Sequence, residues 1–200
     1  NAVLNVGGSV SFTTADYLRS TDGARFNAIT GPQDAAISSA PVAAFGFLGS
    51  TPGAITVQGA QLAVSEGQGI SLVGGNITVQ GGTLAHTTIQ PARLSAPGGP
   101  INLIAVASAG EVLTNAASAP ADPTLNGFTS LGTISLTQGA DVHTSAHTAG
   151  RIVIRSGQFT MENARLEASA TATAPTSPPS ASATGGISVQ ADNVALSHSS

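Results

Sequence analysis

The chain has 200 residues, a net charge of −4 and no cysteine, and only 8 % of its residues are charged. The missing cysteines exclude a disulfide framework, a Cys-ligated zinc site and a thiol nucleophile. Without lysine or a basic cluster, neither nucleic acid nor an anionic membrane surface is expected as a partner. A surface of hydroxyl and amide side chains is typical of an extracellular β protein.

The first segment, residues 1–12, predicts a strand with its apolar side chains on one face, and Gly7-Gly8 interrupt the alternation. Residues 13–48 are less regular and end in an apolar patch that contains Phe45 and Phe47. Because large apolar side chains gain free energy from burial, we expect this patch to cover one flank of the molecule.

From residue 53 onward a short pattern returns, in which isoleucine is followed two positions later by valine, leucine or isoleucine. Side chains two positions apart lie on the same face of a strand, so each pair is expected to point into one core. Neighbouring glycines supply the backbone freedom for sharp corners. The predicted core residues are Ile55, Val57, Ile70, Leu72, Ile77, Val79, Ile101, Leu103, Ile134, Leu136, Ile152, Ile154, Ile187 and Val189.

The spacing of these pairs indicates a solenoid. Ile55 and Ile77 are 22 residues apart (77 − 55), and Ile77 and Ile101 are 24 apart (101 − 77). Longer intervals contain Ala/Ser/Thr/Pro-rich loops at 114–128 and 168–186, and subtracting these returns a repeat near ~20 residues. Such a repeat is too short for a βαβ unit. We therefore predict an all-β parallel β-helix, or β-solenoid, with surface loop insertions, in which Ile55, Ile77 and Ile101 stack in successive coils.

Further strands are predicted within the coils at GAQLAV, GGTLAH, GADVHT and NARLEA.

Consecutive segments from residue 1 to about 112 also carry a family resemblance, including NAVLNVGGSVSFTTADYLR, SSAPVAAFGFLGSTPGAITVQGAQL, SLVGGNITVQGGTL and LSAPGGPINLIAVASAGEV. In this order they resemble the later part of the secretion domain of filamentous haemagglutinin-like exoproteins. The resemblance implies a right-handed parallel β-helix, exported through the periplasm and an outer-membrane two-partner secretion transporter.

On this resemblance, residues 1–112 are part of the two-partner secretion domain and residues 113–200 are continuing coils. The family's usual work is adhesion, which implies a fragment of a secreted or surface-exposed bacterial adhesin with a host or bacterial receptor. Two alternatives stay open: a β-helix enzyme acting on polysaccharide, and the export module of a contact-dependent toxin or haemolysin. The first would need a carboxylate cluster in the folded chain.

The candidate chemistry is sparse, and we predict no enzyme, catalytic residue, cofactor or metal. Arg151 and Arg155 follow Asp141 closely in the sequence, but they alternate with apolar residues, so both are expected on a solvated face opposite Ile152 and Ile154. His143 and His147 have the spacing of metal ligands on a helix, but they lie in a Gly/Ser/Thr-rich segment and are interpreted as surface histidines.

Asn76 begins an N-glycosylation sequon, a pattern that also arises by chance. Because Ile77 is a predicted core residue, Asn76 and Thr78 are expected to point outward together. The simpler interpretation is that both side chains solvate the surface of the coil.

Overall fold

The structure, a computed structural model, describes residues 2–29, 31, 39–84, 88–114, 122–171 and 185–198. These residues form strands and connecting turns. In chain order the strands are β1 (Val3–Val6), β2 (Val10–Thr13), β3 (Tyr17–Ser20), β4 (Arg25–Asn27), β5 (Val42–Phe47), β6 (Ile55–Gln58), β7 (Gln61–Val64), β8 (Ile70–Gly74), β9 (Ile77–Gln80), β10 (Gly82–Leu84), β11 (Thr88–Gln90), β12 (Arg93–Ser95), β13 (Ile101–Ala105), β14 (Gly110–Leu113), β15 (Thr124–Asn126), β16 (Thr133–Thr137), β17 (Asp141–His143), β18 (Arg151–Glu162), β19 (Arg165–Glu167) and β20 (Gly186–Ser197).

Parallel pairing stacks most of these strands into a β-helix with three faces. Face 1 has the order β1-β7-β12-β17-β19. Face 2 stacks β2, β8, β13, the first half of β18 and the first half of β20, and face 3 stacks β6, β9, β16 and the second halves of β18 and β20. Each coil therefore contributes one strand segment to each face, and five coils are described. This all-β solenoid confirms the predicted fold class.

Inward side chains stack on their equivalents from coil to coil. On face 2, Ile70, Ile101 and Ile152 are paired in register, and all three are fully buried. On face 3, Ile77 lies between Ile55 and Ile134. Alternate residues of a strand point to opposite faces, so one apolar pair per strand is enough to fill the interior. The fourteen predicted core residues all lie on these two faces.

Burial is complete in the middle coils and partial at the ends. Twelve of the fourteen side chains belong to the main core or pack against it. Ile187 and Val189, in the last described coil, are 45 % and 39 % exposed, because only one side of β20 is covered by β18.

Three expectations about individual strands were wrong. Ile101 stacks on Ile70 of face 2, while Ile77 stacks with Ile134 of face 3, so Ile55, Ile77 and Ile101 do not form one row. The segment GGTLAH does not add a strand to the coils: β10 pairs antiparallel with β11. Residues 1–12 form two strands on different faces, since the chain turns a corner at Gly7-Gly8.

A five-stranded antiparallel sheet, of order β15-β14-β5-β3-β4, lies outside the helix. We call it the extrahelical sheet. Its inner side meets the outward residues Val73 and Ile104 of face 2 in a second core, which also contains Phe45, Phe47 and Val112. The predicted covering of one flank by the two phenylalanines is observed, at 5 % and 2 % exposure. The predicted surface loop at 114–128 was wrong for its second half, because Thr124–Asn126 form β15 and Leu125 and Phe128 pack against the second core. Residues 115–121 and 172–184 of the two predicted loops lie outside the described residues.

Candidate functional site

The three surfaces of the β-helix differ in chemistry. Face 2 is covered by the extrahelical sheet over its middle coils. Face 3 presents an outward row of small hydroxyl side chains, Thr56, Thr78, Ser135 and Thr160. Face 1 carries Arg93, Asp141, Arg165 and Glu167 together with His143. Clusters of interacting charged side chains lie on face 1 and on the outer side of the extrahelical sheet.

On the extrahelical sheet, Glu111 of β14 binds two side chains of β3 across the intervening strand β5. The hydroxyl of Tyr17 donates to Glu111 Oε1 at 2.7 Å, and Arg19 donates to both carboxylate oxygens, from Nε at 3.1 Å and from Nη2 at 2.7 Å. The Arg25 guanidinium lies 4.3 Å from the centre of the Tyr17 ring. A bidentate arginine–carboxylate pair fixes orientation as well as charge.

These contacts change how the groups titrate. The hydrogen bonds from Arg19 and Tyr17 lower the pKa of Glu111 to about 2, because they stabilise the carboxylate more than the acid. Burial and the nearby carboxylate raise the pKa of Tyr17. Glu111 is therefore ionised at neutral pH, and the network is a fixed structural element.

Face 1 carries an ordered polar ladder. One outward row stacks Gln61, Arg93, Asp141 and Arg165, and the next row stacks Ala63, Ser95, His143 and Glu167. Arg93 donates to Asp141 Oδ2 from Nε at 2.9 Å, and Arg165 Nη2 lies 2.6 Å from Glu167 Oε2. Opposite charges in adjacent strands stabilise the sheet modestly.

His143 lies at the centre of this ladder. Its Nε2 is 2.8 Å from Ser95 Oγ, and its Nδ1 is 3.6 Å from Asp141 Oδ2. Burial lowers the pKa of His143, and this effect outweighs the attraction of Asp141. The imidazole is thus neutral at pH 7, and its contact with Asp141 is not an ion pair.

The two histidines singled out by their spacing do not converge. His143 is a partly buried strand residue, whereas His147 is exposed in the following turn. Within the described parts of the chain no group of three or more His, Cys, Asp or Glu side chains could hold a metal ion. The sequence interpretation missed Ser95, because 48 residues separate it from His143 and only the coil register brings them together.

The expectation of a solvated face for Arg151 and Arg155 was wrong for Arg155, which is 8 % exposed. Arg155 occupies the outward position that Ile104 holds one coil earlier. Its Nη2 is 3.2 Å and Arg151 Nη2 is 2.8 Å from Asp122 Oδ2. Asp122 lies within the predicted loop at 114–128, so a residue of this insertion pairs its carboxylate with both arginines.

Asn76 is exposed, and its side-chain oxygen accepts a hydrogen bond of 2.9 Å from the backbone N–H of Thr133. The Asn76 side chain thus accepts the backbone N–H of Thr133, which lies at the corner between face 2 and face 3 of the next coil. This contact supplies a structural role for the asparagine of the sequon.

The last described coil leaves apolar side chains uncovered. A groove of about 620 Å³ is lined by side chains of β18 and β20 that include Phe159, Met161, Val194 and Leu196. Val194 and Leu196 are 53 % and 64 % exposed. Together with the outer edge of β20, this groove presents a surface on which a further parallel strand would bury apolar area.

No helix in the described part of the chain is long and apolar enough to cross a membrane.

A three-faced parallel β-helix that carries an antiparallel sheet on one flank defines the chain as a β-solenoid protein. A family model, the TPS secretion domain, matches residues 1–161. The chain therefore belongs to the TPS secretion domain family, and it is exported by two-partner secretion, with a dedicated transporter as its partner. This family is a secretion module and not a class of enzymes. No curated protein and no solved structure gives a significant match to the chain.

Proposed function

We propose that this secretion domain belongs to a filamentous haemagglutinin-like adhesin and forms part of a stiff stalk at the bacterial surface. The observation that carries the proposal is the continuous stacking of five coils on three faces. In a solenoid each coil contacts only its neighbours, so the body lengthens without needing a new core. Such a rod suits the display of a receptor-binding region away from the cell surface.

The receptor belongs to a host or bacterial cell and is contacted by the wider adhesin. The division into a secretion domain up to residue 112 and continuing coils from residue 113 stays a prediction. The family match to residue 161 and the unbroken ladders favour treating the coils on both sides of that boundary as one folded body.

Export is driven by coil stacking outside the cell in this proposal. A coil that emerges adds to the ladder already formed, buries its Ile/Val/Leu pair and pairs its backbone groups with the edge strand. Burial of one such side chain is worth about 1.5 to 3 kcal/mol, so backward sliding of a stacked coil is unfavourable. The apolar groove and free edge at β20 are the features that would receive such a coil.

The experiment expresses the complete gene in its own bacterium, with and without the gene of its cognate transporter, and follows the protein by immunoblot in cells, on the surface and in the medium. The proposal expects surface and medium fractions only when the transporter is present. Adhesion to epithelial cells and to sister bacteria should fall when the chain is absent. Normal export without adhesion would remove the adhesin role and leave the export role intact.

A further inference from the structure

The side chains of Ser95, His143 and Asp141 have the relative order of a nucleophile, a general base and a positioning carboxylate. Ser95 Oγ lies 2.8 Å from His143 Nε2, and His143 Nδ1 lies 3.6 Å from Asp141 Oδ2. A nucleophile and base within hydrogen-bond reach, with the base oriented by a third group, is the geometric signature of an activated hydroxyl. All three residues project from face 1, on strands β12 and β17.

The tautomer that this geometry favours leaves Nε2 as the base. Asp141 offers only acceptor oxygens, so a proton on Nδ1 faces a favourable charge while Nε2 keeps its lone pair toward the Ser95 hydroxyl. His143 Nδ1 and Asp141 Oδ1 make no hydrogen bond within the described residues, so the carboxylate favours this tautomer through its charge alone, across 3.6 Å. Burial lowers the pKa of His143, which favours the neutral, proton-accepting form of the ring.

Arginines flank this cluster. Arg93 directs Nε and Nη2 to a single carboxylate oxygen, Asp141 Oδ2, at 2.9 Å each. A guanidinium has five N–H donors, so Arg93 has further donors on the same strand face as Ser95. Arg93, Asn163 and Arg165 also line a cavity of about 420 Å³ beside Asp141. The Arg93 and Arg165 side chains are 55 % and 58 % exposed and can meet an anionic group.

We propose that Ser95 is a reactive nucleophile that takes the acyl group of small carboxylic esters bearing an anionic group, with His143 as its general base. Ser95 Oγ attacks the ester carbonyl carbon while its proton passes to His143 Nε2. The bond from that carbon to the alcohol oxygen breaks, and the departing alcohol takes the proton from Nε2. Water, deprotonated by the same nitrogen, then attacks the acyl-serine, which releases the acid and restores the hydroxyl of Ser95.

Asp141 and Arg93 are positioning residues in this scheme. Asp141 acts on the ring through its charge, with Oδ2 3.6 Å from Nδ1, and Arg93 fixes Asp141 by two contacts of 2.9 Å to Oδ2. The charged groups around the imidazole are Asp141, Glu167, Arg93 and Arg165. The reaction should therefore accelerate with rising pH as His143 loses its proton. Asp141→Asn should slow it and move the midpoint to lower pH, because the carboxylate favours the protonated ring.

The test treats the purified chain with a fluorophosphonate probe, whose P–F bond breaks as the phosphorus binds a serine oxygen, and locates the label by peptide mass spectrometry. The expected result is labelling at Ser95 that is lost in Ser95→Ala and slowed about 100-fold or more in His143→Gln. Ser135→Ala is the matched control, since Ser135 points outward between threonines on face 3. Its labelling should equal that of the parent.

A second measurement compares p-nitrophenyl acetate with p-nitrophenyl hydrogen succinate, which adds a carboxylate to the acyl group. The succinate should react several-fold faster with the parent, and Arg165→Gln should remove that difference. Thermal unfolding of each variant shows whether the fold persists. Labelling of the parent no faster than Ser95→Ala would overturn the proposal, and so would ester hydrolysis at equal rates in these two proteins.

Discussion

Gly46 and Tyr17 show how one residue can determine the position of another. Gly46 lies opposite Tyr17 across strands β5 and β3, and a Cβ built on it would sit 2.0 Å from Cζ of the ring. The aromatic ring therefore covers the missing side chain, and its hydroxyl reaches Glu111 from that position. The glycine is needed for close approach, because any side chain there would displace the ring and break the contact with Glu111.

The pKa of Glu111 predicts acid sensitivity of the extrahelical sheet. The folded-state pKa of about 2 is below the unfolded value of 4.5, so the folded protein binds fewer protons. The stabilisation is therefore complete above pH 4.5 and is lost as the pH falls toward 2. Glu111→Gln should lose about 1.5 to 3 kcal/mol at pH 7, the usual worth of hydrogen bonds to a charged group.

Urea unfolding of the parent and of Glu111→Gln at pH 7, 4 and 3 would measure this contribution. The gap between their free energies of unfolding should be widest at pH 7 and narrow below pH 4.5. The lowered pKa of His143 also reduces stability below pH 6.5. This contribution is the same in the parent and in Glu111→Gln, so it cancels when their free energies of unfolding are subtracted. A gap that stays constant down to pH 3 would contradict the role assigned to Glu111.

At the scale of elements, corners decide whether coils can stack. Gly150 is the last residue of the turn before β18, and a Cβ there would lie 2.0 Å from the carbonyl oxygen of Gly99 in the coil below. That oxygen belongs to the backbone and cannot swing aside. Gly150→Ala should therefore cost about 1 to 3 kcal/mol, the usual penalty for overpacking.

Gly186→Ala is the control, because a Cβ at Gly186 meets nothing within 4 Å. Replacing a glycine at a position that tolerates a side chain is neutral or mildly stabilising. Thermal unfolding followed by circular dichroism at 218 nm, a strand signal, compares the two variants. Equal melting temperatures in both would show that the corner does not limit stacking.

The strands could be predicted from sequence more readily than their order. Alternation of Ile with Val or Leu marks an inward face locally, and GAQLAV, GADVHT and NARLEA all become strands of face 1. Which strands stack depends on how many residues lie between equivalent positions. Asp141 and Arg165 are 24 residues apart (165 − 141), whereas Arg93 and Asp141 are 48 apart (141 − 93), since an insertion intervenes.

The same limit applies to the side chains of interest. Arg155 has the outward parity that predicts solvation, but Asp122, from an insertion 33 residues earlier, closes over it. Ser95 and His143 carry no local signal of their pairing. Contacts of this kind follow from register, which local alternation specifies for one strand and not for its neighbours.

For the whole molecule, the core rows link stability to export. Ile77 is fully buried between Ile55 and Ile134, and Thr78 beside it points outward on the same strand. A carboxylate at position 77 would be buried without a partner, at a cost of several kcal/mol. If export depends on coil stacking, Ile77→Asp should lower the secreted yield about tenfold or more. Ile101→Asp on face 2 should do the same.

Thr78→Asp is the matched control, because it adds the same charge one residue away on the outer surface of face 3. Immunoblots of whole cells and of culture medium separate synthesis from export. The two core variants should be made at the parent's level and be depleted from the medium, whereas Thr78→Asp should be secreted like the parent. Secretion of Ile77→Asp at the parent's level would show that export does not depend on folding of the β-helix. Loss of secretion in all three variants would point to charge itself as the obstacle to passage.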